Sequence, residues 1–221
     1  MSGTFTIQPL FPDSVVTECS LVADAVCNLY PGEMASMQNA VQKRRQEFGA
    51  GRGCARTALA RLGFADVAIE KQKDGSPLWP EGAVGSISHS SLWSGAAVAR
   101  KDQIRGIGLD IETVDRVGQR LERMILTLDE AAWMTRQPRG LWRQWRATIF
   151  SAKEAIYKCL HPLYAERIGF MDAIVTPSQD DLTFSVTMIG AVADAIPGCT
   201  VMQGRYLMHE GNVFTGIVLQ A

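Results

Sequence analysis

Gly106-Ile-Gly-Leu-Asp-Ile-Glu112 is the stretch on which both the fold and the chemistry turn. Side chains alternate across a strand, so Ile107, Leu109 and Ile111 point one way, into a core. Gly106, Gly108, Asp110 and Glu112 point the other way. Two carboxylates at i and i+2 lie roughly 7 Å apart at the backbone, and their oxygens can converge on one hard cation. The glycines strip side chains from the same face, which predicts close approach of a ligand. An exposed strand face with ordinary surface acids shows the same pattern, so spacing alone leaves both readings open. The Gly-x-Gly is not a dinucleotide fingerprint, because the third glycine and the following helix are missing.

Working outward, Val84–Ser88 and Gly95–Ala99 are strand-like runs, like Gly106–Ile111. Four apolar, β-branched runs follow near the C-terminus: Ala173–Thr176, Leu182–Met188, Cys199–Met208 and Val213–Leu219. Ala35–Leu62 reads as helix with a glycine-rich interruption at Gly49–Gly53. Ala55, Ala58, Leu59 and Leu62 then recur at helical spacing, and Gly63 is a stop. Asp74-Gly-Ser-Pro-Leu-Trp-Pro80 is a turn-rich loop. Val117–His161 reads as mostly helical, with Leu121, Met124, Ile125 and Leu128 as one apolar stripe. Pro138 and Gly140 break it, a pause is expected at Phe150-Ser151, and the helix ends before Pro162. Strands and helices come in blocks, which predicts an α+β fold. No linker separates the halves, so residues 1–103 and 104–221 are expected as two packed lobes.

The bulk properties exclude several classes. The chain has 221 residues and a formal net charge of −1, so a general nucleic-acid binder is not expected. Any anion must be held by a local cation cluster. Met1-Ser-Gly-Thr-Phe-Thr shows no charged segment followed by an apolar run, so a signal peptide is not expected, and no stretch reads as a membrane span. The five cysteines include no Cys-x-x-Cys pair, which argues against a disulfide framework and a zinc site and favours a reducing, cytoplasmic setting.

Phe150-Ser-Ala-Lys-Glu-Ala-Ile-Tyr-Lys158 is the second chemical signal. Ser151 and Glu154 have capping-box spacing, and Ala152, Ala155, Ile156 and Cys159 form a buried stripe. Glu154 and Lys158 at i and i+4 share a face. They suit a metal and a phosphate, or a plain surface ion pair. Ser88 and His89 in Gly85-Ser-Ile-Ser-His-Ser90 can donate to phosphate oxygens, although a lone histidine is more often structural. Lys43, Arg44 and Arg45 form a basic run. Arg52 and Arg56, four apart, read as a guanidinium clamp or as a solvated helix face. No Walker A sequence is present, which excludes a P-loop nucleotidase.

Taken together, Lys43-Arg-Arg-x-x-Glu-Phe-x-x-Gly-Arg-x-Cys-Ala-Arg56, Gly75-x-Pro-x-Trp-Pro80, Gly85-Ser-Ile-Ser-His89, Gly106-Ile-Gly-x-Asp-Ile-Glu112 and Phe150-Ser-x-Lys-Glu-x-x-x-Lys158 resemble the Sfp-type (type II) 4'-phosphopantetheinyl transferases. The resemblance is strongest to the branch of the enterobactin synthase component D proteins. Each motif is weak alone; their order, with about 40 residues between the last two, is specific.

The resemblance implies a pseudo-two-fold α+β fold with a coenzyme A cleft between two similar lobes. It implies transfer of phosphopantetheine from coenzyme A to a serine of an acyl or peptidyl carrier protein, with release of 3',5'-ADP. By matching position, Asp110, Glu112 and Glu154 would hold magnesium, with manganese as an alternative. Asp110, Glu154 and Lys158 would be the catalytic set. Lys153, Lys158, Asp110, Ser88 and His89 would bind coenzyme A, with Arg45, Arg52 and Arg56 near its 3'-phosphate and adenine. Some relatives carry lysine where this chain has Ser76. Val117–Trp133, with Arg120, Arg123, Met124 and Leu128, reads equally as the carrier's docking surface or as a packed helix; the carrier could serve fatty-acid, polyketide or nonribosomal-peptide synthesis, siderophores included. One chain supplying both walls implies a monomer. The residues by themselves equally allow a magnesium-dependent phosphohydrolase, or a non-catalytic module that binds coenzyme A or a carrier.

Overall fold

Alternating apolar residues build two antiparallel sheets, and each sheet is backed by one long helix. The computed structural model describes residues 5–25, 28–164, 168–196 and 198–221. Residues 1–4 of the N-terminal stretch Met1–Thr6 and the cysteine Cys27, both used in the sequence argument, lie outside the described residues. The first unit opens with strand β1 (Val15–Leu21), followed by a short helix α1 (Pro31–Ala35) and the long helix α2 (Gln42–Arg61). Strands β2 (Ala83–His89) and β3 (Trp93–Arg100) complete a three-stranded sheet of order β1-β3-β2. Strand β4 (Ile104–Thr113) begins the second unit. Helices α3 (Glu122–Ile125), α4 (Leu128–Thr135) and α5 (Trp142–Leu160) follow. Strands β5 (Ala173–Ser178) and β6 (Thr183–Met188), helix α6 (Gly190–Ala195), and strands β7 (Val201–His209) and β8 (Asn212–Gln220) close the chain. The second sheet has five strands in the order β4-β8-β7-β6-β5. The mixed α and β content agrees with the block pattern of the sequence. Among the described residues, no helix is long and apolar enough to cross a membrane.

The layers run helix, sheet, sheet, helix. Ala55, Ala58 and Leu59 of α2 pack on Ala96 and Val98 of β3. On the other face of β3, Ala97 and Ala99 meet Ile107, Leu109 and Ile111 of β4, as the strand alternation predicts. Small residues at these β3 positions let the two sheets approach. Helix α5 covers the far side, with Ala152, Ala155, Ile156 and Cys159 buried against the second sheet.

Three expectations of local structure are corrected. Helix α2 runs without interruption through Gly49, Gly51 and Gly53. A Cβ on Gly51 would lie 2.7 Å from Ile87 Cγ2, so this glycine allows α2 to sit close to β2, at a helix-propensity cost of about 1 kcal/mol. Helix α5 does not pause at Phe150-Ser151. Ser151 is mid-helix and fully buried, its hydroxyl 2.9 Å from that of Thr215 on β8; it docks the helix instead of capping it. The stretch from Val117 breaks into 3-10 turns and short helices, and of the proposed stripe only Ile125 is buried, while Met124 is 65% and Leu128 91% exposed.

Candidate active site

Where the two sheets stack, an edge strand of one lies against an edge strand of the other. Strand β2 ends the first sheet and β4 ends the second. The free edge of β4 is satisfied by serine hydroxyls: the Leu109 N–H donates to Ser86 Oγ at 3.0 Å and the Ile111 N–H to Ser88 Oγ at 3.2 Å. The Ser-Ile-Ser pattern thus clamps one unit to the other, since i and i+2 side chains share a strand face. Beside this seam opens a cleft of about 1050 Å³, lined by α2, the 71–82 loop, β2, β4 and α5.

Asp110 sits at the seam, 3% exposed. Its Oδ1 accepts from Ser88 Oγ at 3.0 Å and from Lys158 Nζ at 2.7 Å. Its Oδ2 is buried and has no hydrogen-bond partner among the described residues. Lys158 also donates to Ser88 Oγ and to the Leu109 carbonyl. Burial, then the charges of Asp110 and Glu154, push the Glu112 carboxyl up to about 7. Burial and Asp110 raise that of Glu154 as well, against the pull of Lys158. The site thus gathers three carboxylates around one ammonium, that of Lys158.

What clears this face is not what the sequence suggested. A Cβ on Gly108 would fall 1.8 Å from the Ala155 carbonyl oxygen, and one on Gly106 2.6 Å from that of Cys159. The glycines admit the backbone of α5 rather than a ligand. That contact lets α5 lie close on β4, on the strand face that also carries Asp110.

The orphaned Asp110 oxygen and the raised glutamates fit a hard divalent cation, which takes carboxylate oxygens. Among the described residues no three acid, histidine or cysteine side chains are already closed into a metal-ligand cluster. Asp110 is fixed by its bonds, while each glutamate has three side-chain torsions with which to close on a cation.

The expected cations divide. Arg52 lines the cleft, its guanidinium 4.3 Å over the Phe48 ring and donating to the Ile69 carbonyl at 2.6 Å. His89 lines it too, bonded to Arg44, with Glu47 3.7 Å away. Burial and Arg44 lower the pKa of His89, opposed by Glu47. Arg56 turns away to the fully buried Glu33, 2.8 Å from Oε1, because that carboxylate has to be paired. Arg45 lies seven residues before Arg52, so periodicity puts both on one face. In the first turn of α2, however, it reaches back to the carbonyls of Met37 and Gln38. Lys153 is 4% exposed and engages Glu130 and two carbonyls in the core, away from the cleft.

Ser76 donates its hydroxyl to Asp74 at 2.7 Å, and Asp74 in turn lies 3.0 Å from His161 at the end of α5. Those hydrogen bonds, that from the Ser76 hydroxyl first, hold the Asp74 carboxyl down at about 2. Lys71, from the same loop, lines the cleft, as do Arg105 and Tyr157. None of these three stood out in the sequence: Lys71 sits in a stretch without periodicity or motif, Arg105 just precedes the Gly106–Glu112 motif, and Tyr157 lies in the Phe150–Lys158 motif outside both its apolar stripe and its charged pair. Arg44 was visible only as one of a basic run.

Two family models and several known proteins match the chain. The 4'-phosphopantetheinyl transferase N-terminal domain model matches residues 32–99, and the 4'-phosphopantetheinyl transferase superfamily model matches residues 106–196. The 4'-phosphopantetheinyl transferase PptT of Mycobacterium tuberculosis is 36% identical over 195 residues, covering 86% of this chain and 85% of the relative. The 4'-phosphopantetheinyl transferase Svp of Streptomyces mobaraensis is 33% identical over 229 aligned residues, covering 97% and 89%. Enterobactin synthase component D of Salmonella typhimurium is 34% identical over 188 residues, covering 81% and 74%.

Proposed function

The chain belongs to the 4'-phosphopantetheinyl transferase superfamily, and from that premise we propose that its cleft transfers the phosphopantetheine arm of coenzyme A to a serine of an apo carrier protein. The observation that carries the reading is the half-satisfied Asp110, with one oxygen held by Ser88 and Lys158 and the other buried without a donor among the described residues. Such an incomplete, charge-rich site costs stability and so is kept for a ligand, and binding alone does not need three acids beside Lys158.

In the reaction the serine oxygen bonds to the β-phosphorus of coenzyme A. The bond from that phosphorus to the bridging oxygen breaks, and 3',5'-ADP leaves with the electron pair. Glu154, whose carboxyl is raised by burial and Asp110, or a water beside it, would accept the serine proton. Lys158 complements charge on the pyrophosphate. Asp110, Glu112 and Glu154 would hold a magnesium ion, which supplies charge neutralisation of the two phosphates. Arg44, Arg52 and His89 face the remaining phosphate, and Lys71 takes the part that Ser76, tied to Asp74, does not.

Residues 1–103 and 104–221 each supply one wall, so a monomer suffices. The carrier docks on Met124 and Leu128, exposed beside the exposed Arg120 and Arg123. The chemistry of the residues also permits hydrolysis, with water in place of the serine. Incubation with coenzyme A, magnesium and a panel of apo carriers, read by intact mass, separates the two. Transfer adds phosphopantetheine to a carrier. Release of 3',5'-ADP with every carrier unmodified would sink the transferase reading.

A further inference from the structure

Lys153 stands directly before Glu154, yet it takes no part in the cleft. Its ammonium donates to the Ile125 carbonyl at 2.7 Å, to Glu130 Oε2 at 2.7 Å and to the Phe170 carbonyl at 2.6 Å. A lysine has three donors, and all are used. Glu130 is equally committed: Oε1 accepts the Val175 N–H at 2.7 Å, and Oε2 accepts the Thr127 N–H at 2.7 Å as well as Lys153. The pair therefore ties α5 to the end of α3, the start of α4, the turn at Phe170 and strand β5.

Such a junction is poorly explained by stability. A buried ion pair costs about as much in desolvation as it returns, and apolar replacements of similar size are often neutral or better. What hydrogen-bonded charges add is direction. Apolar contacts tolerate small rotations of a helix; three directed bonds on one ammonium do not. On the sheet-facing side α5 is located by the Ser151–Thr215 hydroxyls and by the close approach at Gly108. Lys153 holds a different side of the same turn.

We infer that the Lys153–Glu130 pair is the positioning element of the active site, setting the rotation of α5 that brings Glu154 and Lys158 to Asp110. The inference rests on the transferase reading of the cleft. A misplacement of about 1 Å in a catalytic group costs on the order of 10²-fold in rate. Indirect supports of metal ligands are worth about 10- to 100-fold in affinity.

The test is the double variant Lys153→Met/Glu130→Gln. The glutamine keeps an acceptor for the Val175 N–H and offers a donor to the carbonyls that Lys153 leaves, at the loss of the one bond from the Thr127 N–H. Three quantities are read: the thermal midpoint, the Mn2+ dissociation constant by electron paramagnetic resonance with coenzyme A present, and kcat for carrier modification. The expected result is a folded protein with a midpoint near that of the parent, Mn2+ affinity weakened at least about tenfold, and kcat lowered about 10²-fold. A folded double variant with parental Mn2+ affinity and kcat overturns the inference. If the double variant does not fold, Glu130→Asp, which keeps the charge and shortens its reach, is measured with the same two outcomes. Loss of fold in both also overturns it, since the pair would then serve folding alone. A parent chain without transferase activity would refute the reading of the cleft, while the Mn2+ measurement would still decide the role of the pair.

Discussion

Helix α5 carries a lysine on each of two sides, and each meets a carboxylate at 2.7 Å: Lys153 with Glu130, and Lys158 with Asp110. They lie five residues apart, roughly 140° around the helix. By distance and residue type the two pairs are alike. They differ in how completely each is satisfied. Glu130 has a donor on both oxygens and is fully enclosed. Asp110 has donors on one oxygen only, and its neighbours Glu112 and Glu154 are acids held above their usual range. The Lys158 side chain stays 27% exposed, against 2% for Lys153. A closed polar network holds structure, whereas one left open on an excess of like charge is prepared for a ligand.

The sharpest way to break this contrast is Asp110→Asn. It keeps the shape and removes the charge. Carrier modification is expected to fall by about 10³-fold, while the thermal midpoint holds or rises as repulsion on Glu112 and Glu154 is relieved. An Asp110→Asn protein that unfolds would make this pair as structural as the other.

Gly108→Ala attacks what the two sides share. The added Cβ falls 1.8 Å from the Ala155 carbonyl oxygen, so α5 must shift. A destabilisation of about 3 kcal/mol is expected in urea unfolding, together with loss of transfer. Unchanged stability would mean that the close approach of α5 to β4 is not what seats the helix.

The smallest effect is in pH. Glu112 is raised from 4.5 to about 7, so the folded state holds its proton more tightly than the unfolded chain. The stability this contributes is complete below the ordinary glutamate value and is lost as pH rises through the folded one. With divalent cations chelated, the thermal midpoint of the parent should decline between about pH 5 and pH 8. Glu112→Gln should flatten that decline. Equal slopes for both proteins would show that the excess charge at the open side is not felt in the fold.

Much of this was legible in the residues. The alternation of Ile107, Leu109 and Ile111 placed one face of β4 in the core, and the i, i+4 spacing of Glu154 and Lys158 put them on one helix face. The Gly-Ser-Ile-Ser-His run was visible as a strand end. Its serines turned out to clamp the two sheets, because the pairing partner of a strand edge is not written in that strand's own sequence. Strand β1 went unread because Val15–Leu21 alternates only weakly, and it becomes a strand by pairing with β3. Among the cations, spacing grouped Arg52 with Arg56, and the resemblance added Arg45. Tertiary partners separated them: buried Glu33 claims Arg56, and the carbonyls at the start of α2 claim Arg45.

By itself the sequence determined the motif order that marks the family, the mixed α and β character, and the face of each element that is apolar. These follow from local periodicity and residue chemistry. Only the tertiary structure decided that Gly106 and Gly108 make room for a helix, that Lys153 is sealed in the core while Lys158 reaches the cleft, and that one oxygen of Asp110 is left without a partner. Those outcomes depend on which backbone approaches which, and distances between segments far apart in the chain are set by packing, not by spacing along it.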